Sequence, residues 1–86
     1  MSVTDRAELR ALVVDTLSMF APEVDYNALA PDKPLREQID IDSFDFLNVI
    51  IRLNERTGVE IPEIDYGELV TLDSTVAYLA KKLGLV

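Results

Sequence analysis

The sequence predicts an all-α fold: a four-helix bundle with three longer helices, one short helix, and a long loop between helices one and two. Two observations predict it: apolar residues recur at helical spacing in three segments, and prolines interrupt the stretch between the first two. A chain of 86 residues with 49% hydrophobic residues has enough apolar surface for one small core. We therefore expect residues 1–86 to form a single domain.

The first helix is predicted from about Thr4 to Phe20, with Ser2 or Thr4 available as the N-cap residue. Its apolar residues lie three or four positions apart, on one helical face, at Leu9, Leu12, Val13, Leu17 and Phe20. From residue 21 to 42 this pattern is broken by Pro22, Pro31 and Pro34. We expect a long loop packed over the core, and an ordered loop of this length is usually functional.

The second helix is predicted from Ser43 to about Thr57, with Gly58 as its left-handed C-terminal cap. At 100° per residue, several apolar side chains cluster on the core side: Phe46, Leu47, Val49, Ile50 and Leu53.

An apolar stripe is predicted on the other side of this helix, beside Ser43. Phe44 and Ile51 fall there together with Asn48 and Glu55. Exposed apolar patches often mark binding surfaces. The alternative is that the preceding loop covers Phe44 and Ile51.

The C-terminal third predicts an extended connection over residues 59–62 and a single short helix over residues 64–70. Thr71 or Asp73 then caps a last helix that runs to about Leu83. Its apolar face is formed by Val76, Leu79, Ala80 and Leu83.

Composition excludes several classes of function. Sixteen acidic against eight basic residues give a net charge of −8, which repels the phosphates of nucleic acids. The chain has no Cys and no His, so we expect no catalytic residue, no resident metal and no enzyme activity of its own. No apolar run approaches the roughly 20 residues of a membrane span, so a cytoplasmic location is the default, and nothing in the sequence requires more than a monomer.

A calcium loop is the first interpretation to test for the acidic residues before and within the second helix. Starting an EF-hand loop at Asp40 puts Asp45 where glycine is needed and Ile51 where the bidentate glutamate belongs. The EF-hand interpretation therefore fails. Asp42 and Asp45 instead interact favourably with the positive end of the helix dipole.

Ser43 has two interpretations. Ser and Asp are preferred helix caps, so the residue could serve only to start the helix. Because no His or Cys is present to activate it, the other interpretation is an attachment point that another enzyme modifies.

The arrangement around Ser43 resembles the acyl carrier protein family, and the resemblance extends from helix one through Leu83. Residues 34–44 are similar to the family's Asp-Leu-Gly-x-Asp-Ser-Leu attachment motif with its preceding loop. Residues 58–63, 70–72 and 76–79 look like its later landmarks, in the same order.

This resemblance implies a bundle of acyl-carrier-protein type, with a 4′-phosphopantetheine arm attached covalently to Ser43 beside Asp42. A phosphopantetheinyl transferase would transfer the arm from coenzyme A and supply the base and metal. The phosphoprotein would then carry an acyl or aminoacyl thioester between a loading ligase and acyl-transferring enzymes, as in fatty acid biosynthesis and other lipid metabolism. The expected partner-docking residues are Phe44, Asp45, Leu47, Asn48, Ile51 and Glu55.

Departures from the family pattern suggest a specialised carrier, in a lipid or secondary-metabolite pathway. Phe44 replaces the usual leucine, and Asp40 replaces the usual glycine. The acidic docking face of fatty acid carriers is diluted by neutral or basic residues, at Asn48, Arg52, Asn54 and Arg56.

Two further alternatives stay open. The chain could be a non-carrier acidic helical adaptor that binds a protein partner through helix two and uses Ser43 only as a cap. If the chain is a carrier, its cargo could be a fatty chain buried between the helices, where each buried CH₂ contributes roughly 0.8 kcal/mol of stability. The cargo could instead be short and polar and stay in solvent.

Overall fold

The computed structural model describes residues 4–85 and confirms the all-α fold class. Its elements in chain order are α1 (Arg6–Phe20), α2 (Leu35–Gln38), α3 (Ser43–Thr57), a 3₁₀ helix (Glu63–Leu69) and α4 (Leu72–Leu83). The three longer helices are α1, α3 and α4, and the short one is the 3₁₀ helix. Helix α1 packs against both α3 and α4, and the 3₁₀ helix packs against α4.

Helix α1 begins one residue after its cap, Asp5. The Oδ1 atom of Asp5 accepts a hydrogen bond from the Glu8 N–H at 2.8 Å, because its extended backbone aims the carboxylate at the first turn. Thr4 as cap is therefore wrong, and Ser2 lies outside the described residues. The buried face of α1 is Leu9, Leu12, Val13, Thr16 and Leu17.

The long loop contains one helical turn, α2, which the sequence pattern did not predict. A four-residue helix is too short to show an apolar period, and only Leu35 in it is buried. Gln38 fastens this turn to the rest of the loop: its Oε1 accepts the Ala30 N–H at 2.8 Å, and its Nε2 donates to the Ala30 carbonyl at 2.9 Å.

Main-chain hydrogen bonds join the loop to the start of α4. The Leu35 N–H donates to the Val70 carbonyl at 2.8 Å, and the Asp73 N–H donates to the Pro31 carbonyl at 2.9 Å. The chain just before α3 is thereby held against the bundle.

Helix α3 has the predicted bounds. It ends at Gly58, whose φ of 75° is the left-handed cap conformation that a residue with a side chain adopts only with strain. Its buried residues are Val49, Ile50 and Leu53.

The predicted short helix over residues 64–70 is a 3₁₀ helix over residues 63–69. Thr71 caps α4 as one of the two predicted candidates, in a capping box with Ser74. Tyr78 of α4 donates a hydrogen bond to Asp65 of the 3₁₀ helix at 2.6 Å. Partial burial and this bond raise the pKa of Tyr78 to about 12.

Candidate functional site

Ser43 is the first residue of α3, and its side chain is exposed. The N-cap is Asp42, whose Oδ1 accepts the Asp45 N–H at 2.8 Å and whose carbonyl accepts the Phe46 N–H at 2.9 Å. Because Asp42 caps the helix, the interpretation of Ser43 as the cap is wrong. The Ser43 hydroxyl is presented to solvent instead.

Arg36 lies beside Ser43, and nothing in the sequence pattern indicated this contact. Its Nη2 donates a hydrogen bond to Ser43 Oγ at 3.2 Å, and its guanidinium carbon lies 5.9 Å from the centroid of the Phe46 ring. The two residues lie seven positions apart, but residues 39–42 between α2 and α3 are not helical, so the two do not share one continuous helix. The α2 turn brings them together, so its absence from the prediction hid the contact.

An open groove of about 480 Å³ adjoins Ser43, a size typical of small-ligand sites. One wall comes from α3, and the other comes from Glu63 and Tyr66 of the 3₁₀ helix. Arg36 and Ser43 line the same groove. The groove therefore accommodates an elongated group attached at Ser43 Oγ, and its wall combines apolar and charged side chains.

The pocket in the core beneath the site is small. It is lined by side chains from all four α-helices and the 3₁₀ helix and measures about 10 Å³, about the space needed for one water molecule. Its lining includes Val13, Leu17, Val49, Ile50 and Leu53. An acyl chain does not fit into this pocket unless the helices move apart.

Three apolar side chains of α3 are exposed and form what we call the apolar stripe: Phe44, Leu47 and Ile51, at 72%, 41% and 49% exposure. The loop does not cover Phe44 or Ile51, so the alternative that it does is wrong. The helical projection placed Leu47 on the core side, and this placement is wrong because Leu47 is also exposed. Phe46, which was placed on the same side, is half-buried.

The polar residues expected at the docking face also lie on α3. Glu55 is exposed and pairs with Arg52 at 3.9 Å, while Asp45 and Asn48 are half-buried. Among residues 4–85, no group of three acidic side chains is placed to hold a metal ion. No helix in the same range is long and apolar enough to cross a membrane.

Arg56 and Asn54 do not belong to the docking face, and here the sequence interpretation is corrected. Arg56 Nη1 contacts Asp15 Oδ2 at 2.8 Å and Thr16 Oγ1 at 2.9 Å, which ties α3 to α1. Asn54 Nδ2 donates to the Val59 carbonyl at 2.7 Å, just beyond the helix end. Both side chains stabilise the fold. The acidic charge of the docking face is therefore reduced by Asn48 and Arg52 and not by Asn54 and Arg56.

Comparison with known proteins identifies the family. The family model described as "Phosphopantetheine attachment site" matches residues 7–79. Polyketide-8 synthase acyl carrier protein 2 of Streptomyces avermitilis is 32% identical over 80 residues, covering 93% of this chain and 86% of that protein. An acyl carrier protein of Helicobacter hepaticus is 31% identical over 71 residues, covering 83% and 87%, and one of Solidesulfovibrio magneticus is 29% identical over 84 residues, covering 98% and 99%.

These matches span most of the chain and agree with a helical bundle that presents an exposed serine at the start of α3. The chain therefore belongs to the acyl carrier proteins of the phosphopantetheine-attachment family, whose cofactor is a covalently bound 4′-phosphopantetheine.

Proposed function

We propose that residues 1–86 form a single carrier domain in which Ser43 holds the 4′-phosphopantetheine arm. The arm's thiol then carries an acyl or aminoacyl group as a thioester. The observation that supports this most directly is that Asp42, and not Ser43, caps α3. The Ser43 hydroxyl therefore lies exposed at the mouth of a groove, within reach of another enzyme.

Attachment forms a bond between Ser43 Oγ and the phosphorus of the phosphopantetheinyl group. The pyrophosphate bond of coenzyme A breaks, an adenosine bisphosphate leaves, and the hydroxyl proton passes to a base. That base and the metal come from the transferase, because the chain has no His and the Asp42 carboxylate is engaged as the cap. The chain itself supplies presentation and recognition, so we infer that it is not an enzyme.

We further propose that the apolar stripe docks the transferase and the acyl-handling enzymes. Phe44 is 72% exposed one residue after Ser43, so a partner that covers it also reaches the hydroxyl. Asp45, Asn48 and Glu55 would provide polar contacts at the rim of this surface.

Mass spectrometry tests the attachment site. Incubation with coenzyme A and a broad-specificity transferase should add one phosphopantetheinyl group to the protein and none to Ser43→Ala. Ser18→Ala is the matched control, because Ser18 lies on α1 and donates only to the Asp15 carbonyl. Failure of the wild-type protein to gain mass with several transferases would favour the adaptor.

The docking surface is tested by the rate of that same modification. Ile51→Ser should slow it, because it removes apolar area from the stripe. Met19→Ser is the matched control, since Met19 is 53% exposed on α1, a different helix. Equal rates for the two variants would count against the stripe as the docking surface.

We propose a specialised pathway of lipid or secondary-metabolite type for this carrier. Arg52 and Asn48 reduce the acidic charge of α3, and charge complementarity governs partner choice more than affinity. The similarity to a polyketide synthase carrier protein is in line with this proposal. Loading by general fatty acid synthesis enzymes as fast as they load their own carrier would contradict it. Cytoplasmic location and a monomeric state stay predictions.

A further inference from the structure

We propose that Arg36 anchors the phosphodiester of the arm and directs the arm into the groove between α3 and the 3₁₀ helix. This inference rests on the proposed attachment at Ser43. It concerns a residue that the attachment motif does not include.

The distance between the two side chains is the first argument. Arg36 Nη2 already donates to Ser43 Oγ at 3.2 Å. Attachment turns Oγ into a bridging ester oxygen, and the two non-bridging oxygens on the phosphorus share one negative charge. A guanidinium offers several N–H donors in a planar fork that matches phosphate oxygens, so a small rotation of Arg36 exchanges one weak contact for charge-assisted hydrogen bonds.

The helix start offers fewer donors than its position suggests. A phosphate at a helix N-terminus normally accepts hydrogen bonds from first-turn N–H groups. Here the Asp45 N–H donates to the Asp42 carboxylate, and the Phe46 N–H donates to the Asp42 carbonyl. The Asp45 N–H is therefore occupied by the cap, which leaves the N–H groups of Ser43 and Phe44 for a phosphate, and the guanidinium of Arg36 adds a charged donor already in contact with Ser43 Oγ.

The charged groups around Ser43 also favour Arg36 as the anchor of the phosphodiester. The phosphodiester adds a negative charge next to the carboxylates of Asp42 and Asp45, in a chain whose net charge is already −8. Repulsion from these carboxylates would push the arm away from the protein. The positive charge of Arg36 offsets that repulsion and favours an arm that stays close to the surface.

Arg36 is held in place before any arm is attached. It lies on the α2 turn, which Gln38 and the Leu35–Val70 hydrogen bond fasten to the bundle. Its guanidinium also lies over the Phe46 ring. This preorganisation reduces the entropy lost when the phosphate binds.

The groove determines where an anchored arm lies. Its apolar wall includes Leu47 and Ile50 of α3, and Tyr66 stands on the opposite side. An arm held by Arg36 at its phosphate would lie along these side chains instead of extending freely into solvent. The cargo would then lie beside Leu47, the residue that the groove shares with the apolar stripe.

The test uses the protein carrying its arm, in wild-type, Arg36→Gln and Arg10→Gln forms. Arg10→Gln is the matched control, because it removes the same charge from an exposed position on α1. The chain has no Cys, so the arm's thiol is the unique site for a fluorescent label. Phosphorus NMR reports on the phosphodiester, and fluorescence anisotropy decay reports on the rotation of the arm.

We expect Arg36→Gln to shift the phosphorus resonance and to speed the rotation of the label, while Arg10→Gln changes neither. High salt should move the wild-type values toward those of Arg36→Gln, because Arg36 is exposed and salt screens the contact. Identical phosphorus shifts and label rotation in all three forms would overturn the inference.

A second measurement needs no variant. The Arg36 side-chain N–H resonance of the wild-type protein should shift when the arm is attached, and the Arg10 resonance should stay. An unchanged Arg36 resonance would overturn the inference even if Arg36→Gln cannot be modified or does not fold. Failure of the proposed function looks different, because the wild-type protein would then gain no mass at all.

Discussion

Replacing Arg56 by methionine tests whether this residue fastens the fold or belongs to the docking face. Methionine keeps most of the aliphatic stem and removes the guanidinium. The side chain of Arg56 is 21% exposed, and its Nη1 contacts Asp15 and Thr16 on α1. The sequence placed Arg56 on the docking face, so the two interpretations predict different results.

The expected loss follows from these two contacts. A hydrogen bond to a charged group contributes about 1.5–3 kcal/mol when both partners are buried. Asp15 is 59% exposed and regains water, so its ion pair is worth only about 0.2–1 kcal/mol. Thr16 keeps its hydrogen bond to the Leu12 carbonyl at 2.8 Å, so no buried donor is left without a partner. We therefore expect Arg56→Met to lower the free energy of unfolding by about 1–2 kcal/mol.

Urea unfolding followed by circular dichroism measures this change, and each kcal/mol corresponds to about 4–8 °C in Tm for a domain of this size. Arg52→Met is the matched control on the same helix, since it removes the same charge from a pair at 3.9 Å with 49% and 58% exposure. We expect it to change stability by less than about 0.5 kcal/mol. Equal stability of the two variants would refute the reasoning.

Three other properties of the protein lead to testable predictions: the pKa of Tyr78, the backbone conformation at Gly58 and the size of the core cavity. Because burial and the Asp65 carboxylate raise the pKa of Tyr78 from 10.0 to about 12, its contribution to stability should be complete below about pH 10 and lost as the pH rises through 12. In an absorbance titration, Tyr78→Phe should remove the most alkaline phenolate step, and an unchanged curve would contradict the assignment. Gly58→Ala should cost about 1 kcal/mol in urea unfolding because φ is 75°, whereas Gly67→Ala, which has open space and no positive φ, should be neutral or stabilising; equal losses would contradict this. Acyl groups of increasing length on the arm should leave Tm nearly unchanged, because the core cavity is only about 10 Å³; a steady rise with length would show that the core opens.

The helix bounds were predicted best where the signal is local. Residues 43–57 were predicted with both ends, because an apolar period, an Asp-Ser start and a terminal glycine all lie within one segment. The α2 turn was missed because four residues carry no period. The first cap was misplaced because Thr4 and Asp5 are both good caps, and only the observed hydrogen bond to Glu8 decides between them.

The features of the candidate site also divide into those that local sequence patterns predicted and those that depend on contacts between distant parts of the chain. Ser43 and the exposure of Phe44 and Ile51 followed from the motif and the helical projection. The inward orientation of Arg56 could not follow, because Asp15 and Thr16 lie about forty residues earlier in the chain. A charged residue at a helix surface has the same local pattern whether it meets water or a neighbouring helix.

The sequence by itself determined the helical class, the acidic charge and the serine that begins α3, because these depend on composition, periodicity and short motifs. Only the tertiary structure decided that Arg36 reaches Ser43, that Arg56 turns toward α1, and that the pocket in the core is small. The physical reason is that a hydrogen bond or a cavity depends on distances between atoms, and folding sets those distances through contacts that local sequence patterns do not encode.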